Sequence, residues 1–419
     1  MIKAIPLKSL YALRKHPSLK PRTVVARTFH YKNLLGLEDH QCMIWPIAHS
    51  ELLPPGYFIQ ATLSSQNGLL SIASIDELVD RNPDVHDSFL YELNAESYDE
   101  NQTHYFPISS KVKTINKWNT YIQRCHAFWK NHGYLQIDTP TLVPSGGMET
   151  YIESFQTHYI DSSSQPIPQE LPTSPEFALK KLLCDKYPPV YSINHSFRNH
   201  GELSNYHQPE FTMLEWYHLG ASLEDLLNDT YDFIKTLHRA LGSGISLKKT
   251  IINHTEIFER LVGVRLSDIQ DHAAFLKFAK TKSSQIRDTD SWDDLYSKLF
   301  MEFVEPEIQK HPLCFIFDYP YQLAALSRKE GLICRRFETY IYGVEIGNGY
   351  HELCDGVELR QRAGVAVKKD PDFFKKMDGG LPPCCGNALG LDRLFMVLTS
   401  STLISHHLPL PFHVATAAF

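Results

Sequence analysis

Two arginines in this chain of 419 residues stand in segments whose neighbours suit anionic chemistry. Arg198 lies in Phe197-Arg198-Asn199, ahead of the run Gln208-Pro209-Glu210-Phe211-Thr212-Met213-Leu214-Glu215-Trp216-Tyr217. Arg393 lies near the end of Gly386-Asn387-Ala388-Leu389-Gly390-Leu391-Asp392-Arg393-Leu394. A guanidinium is a planar fork that can hold two oxyanions at once. Such residues serve reactions in which one anion must approach another. Glu338 and Glu345 flank Tyr342-Gly343, which reads as a hairpin turn and sets the two carboxylates across a hairpin from each other. Hard oxygen ligands presented this way suit Mg²⁺ bridging phosphates.

Strands and turns must position these groups. If residues 211–217 form a strand, Phe211, Met213, Glu215 and Tyr217 share one face, spread over roughly 20 Å at about 3.4 Å per residue. Upstream, Ile115, Trp118, Ile122, Cys125 and Trp129 fall on one face of a helix that stops at Gly133, and a strand broken by Pro140 follows. Residues 222–310 read as mostly helical, inserted between blocks of strand. Strand and helix patterns mix without regular βαβ alternation, so the fold class is α+β. Near the start, residues 22–31, 42–47, 57–64 and 69–75 read as short strands separated by Pro54-Pro55-Gly56 and Asn67-Gly68, a small OB-like barrel. The expected domains are a β-rich unit at 1–112 and a catalytic unit at 113–419.

Composition narrows the setting. A hydrophobic fraction of 43% with 21% charged residues is ordinary for a globular chain with a sizeable core. The eight cysteines form no C-x-x-C pair and no disulfide ladder, which fits a reducing cytosol and a cytoplasmic location. No apolar run is long enough for a membrane span, and residues 1–8 do not form a secretion signal. Net charge is −7, yet Lys3, Lys8, Arg14, Lys15, Lys20, Arg22, Arg27 and Lys32 all precede the first acidic residue, Glu38. Two readings stand for this arm: contact with a phosphate backbone, or a solvated terminus.

In order, residues 133–140, 197–217 and 386–394 resemble the three motifs of class II aminoacyl-tRNA synthetases, and the resemblance covers residues 113–419. It is closest to the lysine-type synthetases and to the elongation factor P lysine ligases, which lack the anticodon-binding domain. It implies an antiparallel sheet flanked by helices, a homodimer, and adenylate formation from ATP with Mg²⁺. Arg198 and Arg393 match the catalytic arginines, Arg198 on the α-phosphate and carboxylate, Arg393 over the adenine opposite Phe211. Asn199, His200, Gln208, Phe211, Glu345, Ile346 and Gly390 match ATP-binding positions, and Glu338 and Glu345 match acidic metal positions. Glu352 and Tyr217 match the residues that hold the distal ammonium of lysine. Ser174, Pro175 and Glu176 match the stretch that holds the second amino group, and Ala388 stands where lysine-type synthetases usually carry glycine. Two acidic anchors imply a diamino acid, because a partly buried cation needs a paired anion.

His200 departs from the motif, which carries glutamate there, and Glu202 is close enough to substitute. Gln208 replaces an asparagine. The implied function is activation of lysine or (R)-β-lysine and transfer to a lysine side chain of elongation factor P. The extra N-terminal unit keeps a lysyl-tRNA synthetase acting on lysine tRNA as the alternative, and a non-catalytic paralogue is a third.

Overall fold

The structure is a computed structural model that describes residues 22–31, 34–38, 44–47, 58–66, 69–80, 108–148, 152–201, 203–363, 369–408 and 411–412. Up to residue 112 the description is of the backbone. Two compact units divide the chain, Met1–Asn116 and Lys117–Phe419.

In the first unit β1 (Arg22–Tyr31), β2 (Leu34–Glu38), β3 (Ile44–Ile47), β4 (Phe58–Gln66) and β5 (Leu69–Asp80) form one antiparallel sheet in the order β3-β2-β1-β4-β5. Its edge strands β3 and β5 also approach each other. The four expected strands are present, and β2 is an addition. Its sequence, Leu-Leu-Gly-Leu-Glu, has no β-branched residue and no alternation, so it takes strand form by pairing with the longer β1. The basic arm, apart from the backbone of Arg22 and Arg27, lies outside the described residues.

The second unit is built on a nine-stranded sheet. Its strands are β6 (Leu135–Gln136), β9 (Val190–Phe197), β10 (Glu210–Leu219), β11 (Lys249–Asn253), β12 (Leu313–Pro320), β13 (Lys329–Glu330), β14 (Ile333–Ile341), β15 (Val344–His351) and β16 (Cys384–Gly390). The order is β11-β12-β14-β15-β16-β10-β9-β6, with β13 on β14; only β11–β12 and β6–β9 are parallel. A separate hairpin joins β7 (Gln156–Ile160) to β8 (Pro166–Glu170). This is the α+β arrangement expected.

The helix Ile108–Asn131 packs its predicted face on the sheet, with Cys125 and Trp129 fully buried and Trp129 4.5 Å from Trp216. Gly133, at φ +81°, ends it in a conformation that favours glycine. The helix Leu223–Leu241 lies on the same core through Leu226, Phe233 and Leu237. A capping box between Ser222 and Asp225 opens it, and Gly242 at φ +61° closes it. Ser222→Ala should lower stability by about 1 kcal/mol, read as a lower Tm in thermal unfolding. The rest of the insertion is helical at His254–Val262, His272–Lys282 and Trp292–Leu299, but β11 joins the sheet edge where only helix was expected.

Candidate active site

A cavity of about 690 Å³ opens over the middle of the sheet, lined by β10, β15, β16 and the start of the helix Glu176–Cys184. Strand alternation makes this possible. In β10 Phe211, Met213, Glu215 and Tyr217 line the cavity, while Leu214 and Trp216 point the other way into the core.

One end of the cavity is cationic. Arg198 follows β9, fixed by its N–H donating to the Pro209 carbonyl at 2.8 Å, and its guanidinium carbon lies 5.1 Å from the centre of the Phe211 ring. Its Nε is buried without a hydrogen-bond partner. Arg393 donates to the main-chain carbonyls of Tyr206 at 3.1 Å and Glu345 at 3.0 Å. Burial lowers its pKa, and Arg198 nearby acts in the same direction. Neither guanidinium forms a salt bridge among the described residues, so two half-buried positive charges face the cavity without a carboxylate of those residues on them. Gln208, Glu345, Ile346 and Gly390 line the same end. Gln208 is 7% exposed; its Oε1 accepts from the Phe412 N–H at 3.1 Å, and its Nε2 has no partner.

The other end is acidic. Glu176, at the first turn of its helix, Glu215 from β10 and Glu352 just after β15 all line it, with Tyr217, Ser174 and Ala388. The Tyr217 hydroxyl donates to Glu215 Oε1 at 2.6 Å, and Glu215 Oε2 has no partner. Burial pushes the Glu215 carboxyl well above the usual range, with the Glu176 charge adding to it. Behind Glu176 and Glu352 sits Lys180, ion-paired to both.

Four predicted residues do not line the cavity. Pro175 caps the helix that begins at Glu176. Asn199 turns its Oδ1 to the His200 N–H at 3.0 Å. His200, at φ +52° and 75% exposed, pairs with Glu153 at 2.9 Å. Glu202 lies outside the described residues. Glu338 accepts from Arg336, Tyr319 and Tyr340, each at 2.6 Å. It faces Asn348 across the hairpin, whereas Glu345 faces Tyr340: the turn pairs Ile341 with Val344, which leaves Glu338 beyond the reach of Glu345 in register, and a shift between Thr339 and Tyr340 moves its partner one residue further. The Asn348 amide reaches Glu345 Oε1 at 2.6 Å.

Several residues went unassigned in the sequence. Glu215 was legible by alternation with Tyr217. Asp392, next to Arg393, takes the Thr212 N–H at 2.5 Å and pairs with buried His407 at 2.8 Å. The segment carrying His407 also donates from Ile404 N to the Asn205 carbonyl at 2.8 Å, so residues after 400 brace the arginine end.

Comparison with known proteins agrees with this geometry. The family of class II tRNA synthetases (D, K and N) matches residues 106–413. An elongation factor P–(R)-β-lysine ligase of Buchnera aphidicola subsp. Acyrthosiphon pisum (strain Tuc7) is 31% identical over 319 residues, covering 72% of this chain and 96% of the relative. Ligases of the same name from Edwardsiella ictaluri (strain 93-146) and Proteus mirabilis (strain HI4320) are 31% and 30% identical, over 71% and 73% of this chain and 94% and 97% of their own. The match spans the sheet and every residue that lines the cavity, and on that ground the chain belongs to the class II tRNA synthetases of the D, K and N group.

Proposed function

We propose that the protein activates lysine or (R)-β-lysine as its adenylate with ATP and passes the acyl group to an amine of elongation factor P. The observation that carries this is the two-ended cavity: two guanidiniums with no carboxylate partner among the described residues at one end and three carboxyl groups at the other. An amino acid with two ammonium groups and a carboxylate spans such a site in one orientation only. Its carboxylate, ionised at neutral pH, attacks the α-phosphorus and pyrophosphate leaves. No base is needed, and the barrier is the approach of anion to anion, which Arg198 and Arg393 lower by positioning and charge. In the second step an amine attacks the acyl carbon, AMP leaves, and the amine loses a proton to solvent.

The residues present fit the nucleotide: the orphaned Arg198 Nε and Gln208 Nε2 are donors awaiting acceptors. Of the two acidic metal positions Glu345 lines the cavity, while Glu338 is engaged by Arg336, Tyr319 and Tyr340 behind it, so Mg²⁺ would rest on Glu345, with Glu338 beside it, and on phosphate oxygens. Bound there, it neutralises phosphate charge. Ala388 stands opposite Glu215 in the β10–β16 pairing, so its methyl shapes the wall of the acidic end. One methyl in a pocket discriminates substrates by about 1–3 kcal/mol.

Transfer to tRNA is a second reading, favoured by the five-stranded N-terminal sheet, which lies ahead of the family match at residue 106. Incubating the protein, ATP and labelled amino acid in parallel with elongation factor P and with lysine tRNA separates the two. Label is expected on elongation factor P. Label on tRNA alone would overturn the acceptor, and absence of diamino-acid-dependent pyrophosphate exchange would overturn the activity. No described helix is long and apolar enough to cross a membrane.

A further inference from the structure

The acidic end of the cavity contains a cation of the protein's own. Lys180 stands one turn after Glu176, so both side chains lie on one helix face. Its Nζ is 2.5 Å from Glu176 Oε1 and 2.6 Å from Glu352 Oε2. Lys180 is 1% exposed and does not line the cavity, whereas both glutamates do. Two carboxylates from distant parts of the chain are thus tied together behind the pocket wall by one ammonium. Burial alone would lower the Lys180 pKa, but Glu176 and Glu352 outweigh it and hold the ammonium above its ordinary value.

Burial and the Glu176 charge favour the neutral form of Glu215, so Glu176 and Glu352 against one ammonium leave one negative charge, beside the acceptor oxygens of Glu215, at this end of the cavity. A substrate with two ammonium groups, its carboxylate turned to the arginines, supplies that complement. We propose that Lys180 is the positioning residue that sets this charge count: by holding Glu176 and Glu352 as an ionised pair, it makes the pocket select a diamino acid over a monoamino acid of the same shape. The inference rests on the diamino-acid reading of the site. Without Lys180, like charges would face each other in a buried place, and protonation would relieve them. A pocket of neutral carboxyls no longer rejects a side chain that ends in a methyl group.

The groups facing Lys180 Nζ are Glu176 on its own helix, Glu215 and Tyr217 from β10, Glu352 after β15, and the thiols of Cys184, Cys354 and Cys384. All are acidic or neutral. Burial pushes the Glu352 carboxyl up to about 7, with Lys180 opposing the rise. Below that pH an arriving ammonium must displace a proton, so affinity for the diamino acid increases as pH rises through about 7 and levels off above it. Removing Lys180 takes away the opposing charge and moves this transition upward.

Pyrophosphate exchange measured across pH with lysine and with norleucine, for wild type, Lys180→Met and Lys180→Arg, tests the proposal. Lys180→Met should raise KM for lysine about ten-fold or more and shift the pH of half-maximal affinity up by about one unit. It should also narrow the preference over norleucine, while kcat and KM for ATP stay within about three-fold. Lys180→Arg should recover most of the lysine affinity. A pH midpoint unmoved in Lys180→Met, or kcat and ATP affinity falling together with lysine affinity, overturns the proposal. Should Lys180→Met not fold, calorimetry of wild type with lysine at pH 6 in two buffers of different ionisation enthalpy decides: net proton release is expected, and its absence overturns the proposal. No exchange by wild type with any diamino acid removes the functional reading and this inference together, an outcome the wild-type arm shows on its own.

Discussion

Arg198→Ala should lower diamino-acid-dependent pyrophosphate exchange by about 10²–10³-fold, and Arg393→Ala by a similar factor, with the fold intact by circular dichroism. Among the described residues neither guanidinium has a carboxylate on it, and both face the cavity, so each can meet charge that develops on phosphate and carboxylate oxygens. Their settings differ in a way kinetics can read. Arg393 is anchored by two main-chain carbonyls, so its loss should weaken ATP binding as well as turnover. Arg198 keeps an unpartnered Nε, and its loss should fall mainly on kcat. Arg198→Lys keeps the charge without the fork and should recover only part of the activity. Exchange within about three-fold of wild type in either alanine variant would remove that arginine from the chemistry.

Gly386→Ala should raise KM for the amino acid about 100-fold, roughly 2.7 kcal/mol, and leave ATP binding in place. Gly386 pairs with Tyr217 on one side and Tyr350 on the other, in the middle of the sheet. A Cβ there would lie 2.5 Å from Tyr217 Cε1 and 2.6 Å from Glu352 Oε1. Tyr217 is buried and cannot swing outward, so the added methyl must displace the residues that line the acidic end. Separate titrations of amino acid and ATP check this. Unchanged amino-acid affinity would move the substrate pocket away from Tyr217 and Glu352.

How far the sequence could be read followed the range of the interactions involved. The face of the first helix and the shared face of Phe211, Met213, Glu215 and Tyr217 depend only on local period, and both stand in the structure. The hairpin turn at Tyr342-Gly343 was equally legible, since both residues adopt positive φ. The partner of Glu338 was not: the turn alone sets Glu345 opposite Tyr340 and would set Glu338 opposite Gly347, and no local pattern reports the register shift that moves Glu338 onto Asn348. Lys180 at four residues from Glu176 is visible in the chain as helical spacing. That the same ammonium also meets Glu352 depends on how β15 ends against a helix more than 160 residues earlier. β11 went unseen because five residues between helices gain strand form only from pairing with β12.

The position of β16 in the sheet bears on how the protein comes to be folded at all. Among the described residues it is the last strand along the chain, yet it lies between β10 and β15, and its pairing with β10 joins residues more than 160 positions apart. While the chain is being synthesised, β10 and β15 must wait with bare edges, and bare edges recruit other chains. The waiting strand, Cys-Cys-Gly-Asn-Ala-Leu-Gly, has little tendency to extend by itself, so its two neighbours must template it. Closing so distant a pair is slow. The sheet that carries the cavity is therefore completed late, and cellular yield should depend on chaperones that shield those two edges until β16 arrives.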